Sequence, residues 1–383
     1  MSFDFDRLID RSGGDSVKWN RYAGRDVLPL WVADMDFAAP PAVIEALRRR
    51  VDHGVFGYAE PWPSLVEAVQ EHLFEEYDWR IEADALVWLP GLVTGLNVAC
   101  RAVGEPGSAV FTSTPIYPPF LSAPRNDHRR TVTAPLERVD GRWEWDFEAV
   151  ETALTPDTKL FLLCHPHNPV GRVWREDELR EIAAIAERHD LIVCSDEIHC
   201  GLVLKLGLRH MPFAALGAEA AKRSITLMAP SKTFNIPGLG CAFAVIPDAT
   251  LRRSFLAAMQ GIVPHVNVLG LAATEAAYRH GGAWHRALIS YLRGNRDCVE
   301  AAVAKLPGLS LAHVEATYLA WIEVRKPQEL RAHPASGFAA AGVGLSQGRD
   351  FGGDAYRSFV RLNFACPRAT LDAALARIAE VAG

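Results

Sequence analysis

Residues 224–240 read SITLMAPSKTFNIPGLG, and their reading organises the rest of the chain. The apolar run Ile225 to Met228 has the length of one buried strand. It stops at Ala229-Pro230, and Ser231-Lys232 follow at once. A lysine just past a buried strand sits over the carboxyl end of a sheet, partly out of water. Desolvation disfavours its ammonium, lowers its pKa and leaves a nucleophilic amine able to form a Schiff base with an aldehyde. Most loop lysines are simply solvated, so Lys232 needs partners before it carries meaning.

Neighbouring stretches supply them. LIVC, Leu191 to Cys194, is another short apolar run and ends in SDEIH. Asp196, Glu197 and His199 therefore stand at a strand's end, where an acid needs a cation, a ligand or a turn to cap. One of the two carboxylates is expected to serve a ligand. KLFLLC, Lys159 to Cys164, ends in HPHNPVG and puts Asn168 in the same kind of place, although Asn-Pro is also an ordinary turn signal. Ala109 to Thr112 precedes STPIYPPF, where Pro118 holds Tyr117 extended, as a ligand-stacking ring or as a structural aromatic. Residues 86–99, LVWLPGLVTGLNVA, read as strand, Pro-Gly turn and helix start. Free N–H groups and the helix dipole make the turn at Gly91 a phosphate site, or it merely joins strand to helix.

Helical spacing separates these runs. Leu179, Ile182, Ala183 and Ala186 share one face over 176–189, and Leu65, Ala68, Val69 and Leu73 another over 65–77. Strands alternating with helices imply an α/β fold around a mainly parallel sheet, whose ligands bind beyond the carboxyl ends of the strands. Gly91, Asn168, Asp196 and Lys232 then converge, although the chain separates them widely. An amine for a Schiff base, a carboxylate for a ring nitrogen, an amide for a ring oxygen, a stacking aromatic and a phosphate turn together describe a pyridoxal 5'-phosphate site.

Composition agrees with such an enzyme. The chain has 383 residues, enough for one large and one smaller domain, with 49% hydrophobic content. A net charge of −6 argues against nucleic-acid binding. Seven cysteines with no CxxC pair argue against a disulfide framework or zinc site and fit a reducing cytoplasm. MSFDFDRLIDRSG has no apolar core of a signal peptide, and Ser254 to Thr274 is interrupted by polar residues and Pro264, so it reads as core helices with a break rather than a membrane span.

Three further stretches carry expectations. In GGDSVKWNRYAGRDVLPLWVADMDF, residues 13–37, Val27 to Val32 reads as a strand, and Pro40-Pro41 then opens a helix. Tyr58 lies in an irregular loop, where spacing favours a packing role over a hydroxyl donor. Arg361, in SFVRLNFAC, is a charge among apolar strand residues that needs an anion, a carboxylate above all, unless it lies exposed on an edge strand.

APSKTFNIPGLG, SDEIH, HPHNPVG, PIYPPF, WVADMDF and VRLNFACPR together resemble the fold-type I aminotransferase superfamily, and within it the cystathionine β-lyase (C–S lyase) branch of MalY/PatB type. The likeness runs from Ser16 to about Thr370. It implies Lys232 as the cofactor-bearing lysine and proton shuttle, Asp196 on the pyridine nitrogen, Asn168 on the ring hydroxyl and Tyr117 stacked on the ring. It also implies Gly91, Leu92, Val93 and Ser231 on the phosphate, His199 in the cofactor pocket, and Arg361 with Asn168 on the substrate. Tyr58 would reach the phosphate of a second subunit in a homodimer with shared sites.

Aspartate aminotransferase has a tyrosine three positions after the ring-nitrogen aspartate, a serine three before the lysine and an arginine eight after it. Here those positions hold His199, Ala229 and Gly240. These departures favour the lyase branch. The expected large domain is residues 46–283, and 1–45 with 284–383 form the small α+β domain. The expected reaction is α,β-elimination from a cysteine conjugate such as cystathionine. An aminotransferase is the first alternative, and a catalytically silent ligand-binding protein on this fold the second.

Overall fold

Short apolar runs become strands here because both of their faces are covered. The computed structural model describes residues 3–383; Met1 and Ser2, the head of the N-terminal stretch read above, lie outside the described residues. In chain order the strands are β1 Leu28–Pro29, β2 Leu86–Leu89, β3 Ala109–Thr114, β4 Arg130–Val139, β5 Arg142–Trp145, β6 Thr158–Cys164 and β7 Ile192–Asp196. They continue as β8 Ser224–Met228, β9 Ala242–Val245, β10 Leu309–Leu311, β11 Leu319–Val324, β12 Val343–Gly344, β13 Ser346–Gln347 and β14 Phe359–Asn363.

Eight of them form one sheet in the order β2-β9-β8-β7-β6-β3-β4-β5. The neighbours from β8 through β7, β6 and β3 to β4 are parallel, whereas β9 runs against both β2 and β8, and β5 against β4. The expected mainly parallel sheet is therefore present, with β2 pointing the same way as the parallel set. Every residue of β3, β8 and β9 is buried, as interior strands require. Alternate residues serve opposite layers. Leu160, Leu162, Ile225 and Leu227 pack with Leu96, Phe120 and Phe255 on one face. Phe161, Leu163 and Val193 pack with Leu179, Ile182 and Phe213 on the other.

β10, β11, β14 and β13 form a separate antiparallel sheet. Its core takes in Trp284, Leu288 and Leu371, and also Phe5, Met35 and Phe37 from the N-terminal segment. We propose the division into 46–283 and 1–45 with 284–383; the first boundary falls within the helix Pro41–His53 and the second within the first turn of the helix Gly282–Ala304. The break expected in 254–274 is present between the helices Ala249–Met259 and Val268–His280. Among the described residues no helix is long and apolar enough to cross a membrane.

One expected strand is mostly missing. Only Leu28–Pro29 of the run Val27 to Val32 pairs, with Val343–Gly344. From Trp31 to Phe37 the backbone is an irregular strap, because its carbonyls are taken by side chains from distant parts of the chain. Asn363 Nδ2 donates to Val32 O and Asp34 O at 2.7 Å each, and Asn235 Nδ2 to Met35 O and Phe37 O at 3.1 and 2.7 Å.

Candidate active site

The parallel strands end on one side, and the residues named above follow those ends. Gly91 caps the eleven-residue helix Leu92–Ala102 without a side-chain hydrogen bond, so the first N–H groups of that helix are open to an acceptor. Gly240 lies beside this turn: a Cβ there would stand 3.3 Å from Pro90 O, and its φ of 55° favours glycine. A long cation at this position would need both constraints relaxed.

Asp196 ends β7, and burial pushes its carboxyl up to about 7. The Ile198 N–H, donating to Oδ1 at 3.1 Å, and the nearby Lys232 ammonium oppose that rise. Glu197 is locally equivalent but internally occupied. It accepts from Ser195 Oγ and Phe213 N at 2.9 Å each and meets His210 Nε2 at 2.6 Å. Of the two carboxylates, Asp196 is the one facing the amine.

Lys232 follows β8 by four residues and is partly buried. Burial first, and the Arg361 charge second, pull its ammonium down to about 8 against the pull of Asp34 and Asp196. Its Nζ donates to Ala33 O at 2.6 Å, and Tyr318 Oη donates to the same carbonyl at 3.0 Å. The strap is thus the far wall of the site. Asn235, three residues after the lysine, fixes it through Met35 N and O and Phe37 O.

Arg361 comes from β14, an interior strand of the small sheet, and is 5% exposed. The alternative of an exposed edge-strand arginine does not hold. Nη1 donates to Asn168 Oδ1 at 3.0 Å and Nη2 to Trp31 O at 3.0 Å, while Nε has no partner. No carboxylate pairs with it among the described residues; burial accordingly pulls it down to about 10. A buried guanidinium held only by neutral acceptors is a receptor for an anion.

Burial raises the pKa of the Tyr117 hydroxyl, and the charges of Arg361 and Asp196 both bear on it. His199 is buried with Nδ1 unpartnered; burial, then Lys232 and Arg361, keep it neutral by lowering its pKa. Ser231 is buried beside the lysine, Leu92 is buried, and Val93 is half-exposed. Tyr58 is not brought in. It is 102% exposed in the loop before the helix Pro63–Tyr77, so the packing role favoured from spacing does not hold within its own chain.

Sequence reasoning missed Tyr318, Asn235, Asn363 and the strap itself. Asn235 and Asn363 lie within the quoted runs APSKTFNIPGLG and VRLNFACPR, and WVADMDF marks the strap, but none of these carries its role until the fold joins them.

The description of aminotransferase classes I and II matches residues 25–378. This chain belongs to that family. It is 38% identical to the cystathionine beta-lyase PatB of Bacillus subtilis (strain 168), covering 98% of both chains. The solved structure named OvoB is 48% identical with a TM-score of 0.96, covering 99% of each chain. Cystalysin from Treponema denticola, whose crystal structure contains pyridoxal 5'-phosphate, is 33% identical with a TM-score of 0.94, covering 99% of this chain and 98% of that one. The family resemblance seen in the motifs therefore extends over the whole fold.

Proposed function

We propose that this protein is a pyridoxal 5'-phosphate-dependent carbon–sulfur lyase that cleaves the Cβ–S bond of cystathionine or a related cysteine conjugate, giving pyruvate, ammonia and a thiol. The observation that carries the reading is a low-pKa amine, Lys232, set beside a buried guanidinium, Arg361, that lacks an anion. Such a pair suits an amino-acid substrate. Full-length similarity to PatB supports elimination as the reaction type.

The donor set fits the cofactor. The open N–H groups of Gly91, Leu92 and Val93 and the Ser231 hydroxyl suit its phosphate, and Asp196 its ring nitrogen. Asn168, Tyr117 and the orphaned Nδ1 of His199 suit the ring's oxygen, face and edge. Pyridoxal phosphate, when bound, supplies an electron sink conjugated to the substrate's α-carbon. Facing a ring-nitrogen cation, Asp196 would ionise despite its raised pKa and would favour the protonated form of that nitrogen.

The chain's own residues do the rest. Arg361 receives the α-carboxylate on its guanidinium fork, with Asn168 and Trp31 O fixing the plane. Lys232, neutral in a usable fraction near pH 7, removes the α-proton, and Ala33 O orients its amine. A leaving thiol of ordinary pKa, about 8.5, departs as thiolate without further activation. Tyr58 standing clear of its own chain supports a homodimer in which it serves the other subunit's phosphate. Seven free cysteines support a cytoplasmic setting.

The test is steady release of pyruvate, ammonia and homocysteine from L-cystathionine with no 2-oxo acid added. An aminotransferase would consume one equivalent per site and stop until a 2-oxo acid was supplied. Stopping of that kind with several cysteine thioethers would overturn the lyase reading and leave the cofactor assignment standing.

A further inference from the structure

Buried Arg361 lines a cleft of about 520 Å³ that is also lined by Arg21, Tyr22 and Arg25. Trp31 links Arg361 to Arg21. Trp31 O accepts from Arg361 Nη2 at 3.0 Å, while the Trp31 ring carries the Arg21 guanidinium 4.4 Å above its centre. The Trp31 indole N–H is tied to Lys18 O at 3.0 Å.

Tyr22 extends the stack. Its ring has Arg21 at 5.8 Å and Arg25 at 5.6 Å, and it is buried against the backbone at Gly344, where a Cβ would come within 2.3 Å of the ring. Two guanidiniums are thus held on two fixed aromatic faces, an arrangement that orients a cation without neutralising it.

The nearby acids are already engaged. Asp26, next to Arg25, pairs with Arg377 at 2.9 Å, and Asp34 and Asp36 pair with Arg11 at 2.7 Å each. Among the described residues lining the cleft there are three arginines and one acid, Asp350. With Arg361 assigned to the α-carboxylate, Arg21 and Arg25 are the remaining cations lining the same cleft.

We propose that Arg21 and Arg25 form a distal subsite that receives a carboxylate carried by the leaving thiol, so that the preferred substrates are cysteine thioethers with an acidic sulfur substituent. This rests on the lyase reading above. Asp350 tolerates an additional ammonium on that substituent but does not favour one without the carboxylate.

The test compares three thioethers of similar length, S-carboxymethyl-, S-ethyl- and S-(2-aminoethyl)-L-cysteine, in the holoenzyme. Wild-type protein is expected to show the highest kcat/KM with the carboxymethyl compound. R21A/R25A should lower the carboxymethyl-to-ethyl ratio of kcat/KM about tenfold, mostly through KM. R21K/R25K, which keeps the charges, should retain most of that ratio. A ratio unchanged within a factor of two in R21A/R25A, or a wild-type preference for the aminoethyl compound, would overturn the subsite. Failure of wild-type protein to release pyruvate from any of the three would instead refute the lyase reading. Spectral titration of the bound cofactor with the same amino acids still ranks their affinities. There, loss of the carboxymethyl preference in R21A/R25A supports the subsite and its persistence overturns it.

Discussion

Burial, with the Arg361 charge, pulls the Lys232 ammonium down to about 8 from the 10.5 of an ordinary lysine. At pH 7 roughly one amine in ten is neutral, compared with roughly one in three thousand for a solvated lysine, an enrichment of roughly 300-fold in the reactive form. The causes have opposite signs, which makes the assignment testable by paired variants. Burial and the Arg361 charge lower the pKa, and Asp34 and Asp196 raise it. Arg361→Leu should therefore move the titration to higher pH and Asp196→Asn to lower pH, each by about half a unit to one unit. The assay is stopped-flow capture of pyridoxal phosphate by apoprotein, followed by the visible band of the bound cofactor between pH 6 and 10.5. Titration of the free cofactor is common to all three proteins and drops out of their comparison. A wild-type inflection at about 10 or above would refute the reasoning, as would movement of both variants in the same direction.

Borohydride reduction of the holoprotein should fix the cofactor on the peptide holding Lys232, and mapping to another lysine would remove it from the site. Asp196→Ala is expected to lower turnover of cystathionine at least about a hundredfold with the fold intact by circular dichroism. Mixing Tyr58→Phe chains with Lys232→Ala chains should restore activity, since each heterodimer holds one site free of both changes; no recovery, with heterodimers shown by mass, would exclude a shared site. Asn235→Ala removes three hydrogen bonds to the buried strap and is expected to cost about 2–4 kcal/mol in urea unfolding, so a change under about 0.5 kcal/mol would show that the strap is held elsewhere.

Strand ends were readable because a parallel interior strand is a short unbroken apolar run, and its functional residue sits within a few positions of where the run stops. Asp196, Asn168 and Lys232 all follow that rule. What the sequence could not show depends on contacts with no local signature. Val27 to Val32 has a strand's composition, yet its ladder is short, and the carbonyls of Trp31 and Val32 are matched to side chains. Arg361 reaches Trp31 across 330 positions, and Asn235 reaches Met35 across 200. Asp196 and Glu197 are adjacent carboxylates, and only the fold, which brings Phe213 N and His210 onto Glu197, tells them apart. Tyr58 looks like a packing aromatic until the fold shows nothing beside it.

The strap explains why an N-terminal segment belongs to a site otherwise built on the large sheet. Ala33 O accepts from Lys232, the amine proposed to move the α-proton, and Trp31 O, two residues earlier, accepts from Arg361, the guanidinium proposed to hold the α-carboxylate. The two groups whose relative placement decides whether the proton can be taken are therefore referenced to one short piece of backbone. That piece is clamped by Asp36, whose carboxylate takes Lys18 at 2.6 Å, Arg11 at 2.7 Å and the Trp19 N–H at 3.1 Å. Lys18 is fully buried, so this cluster carries a desolvation cost that an apolar contact of the same volume would avoid. An apolar contact would remove one of the strap's directional ties, beside those of Asn235 and Asn363, and a displacement of about an ångström at a reacting group is enough to cost about a hundredfold in rate. The charged clamp adds directional contacts at Asp36 to those of Asn235 and Asn363, and so helps to hold the strap that both Lys232 and Arg361 touch.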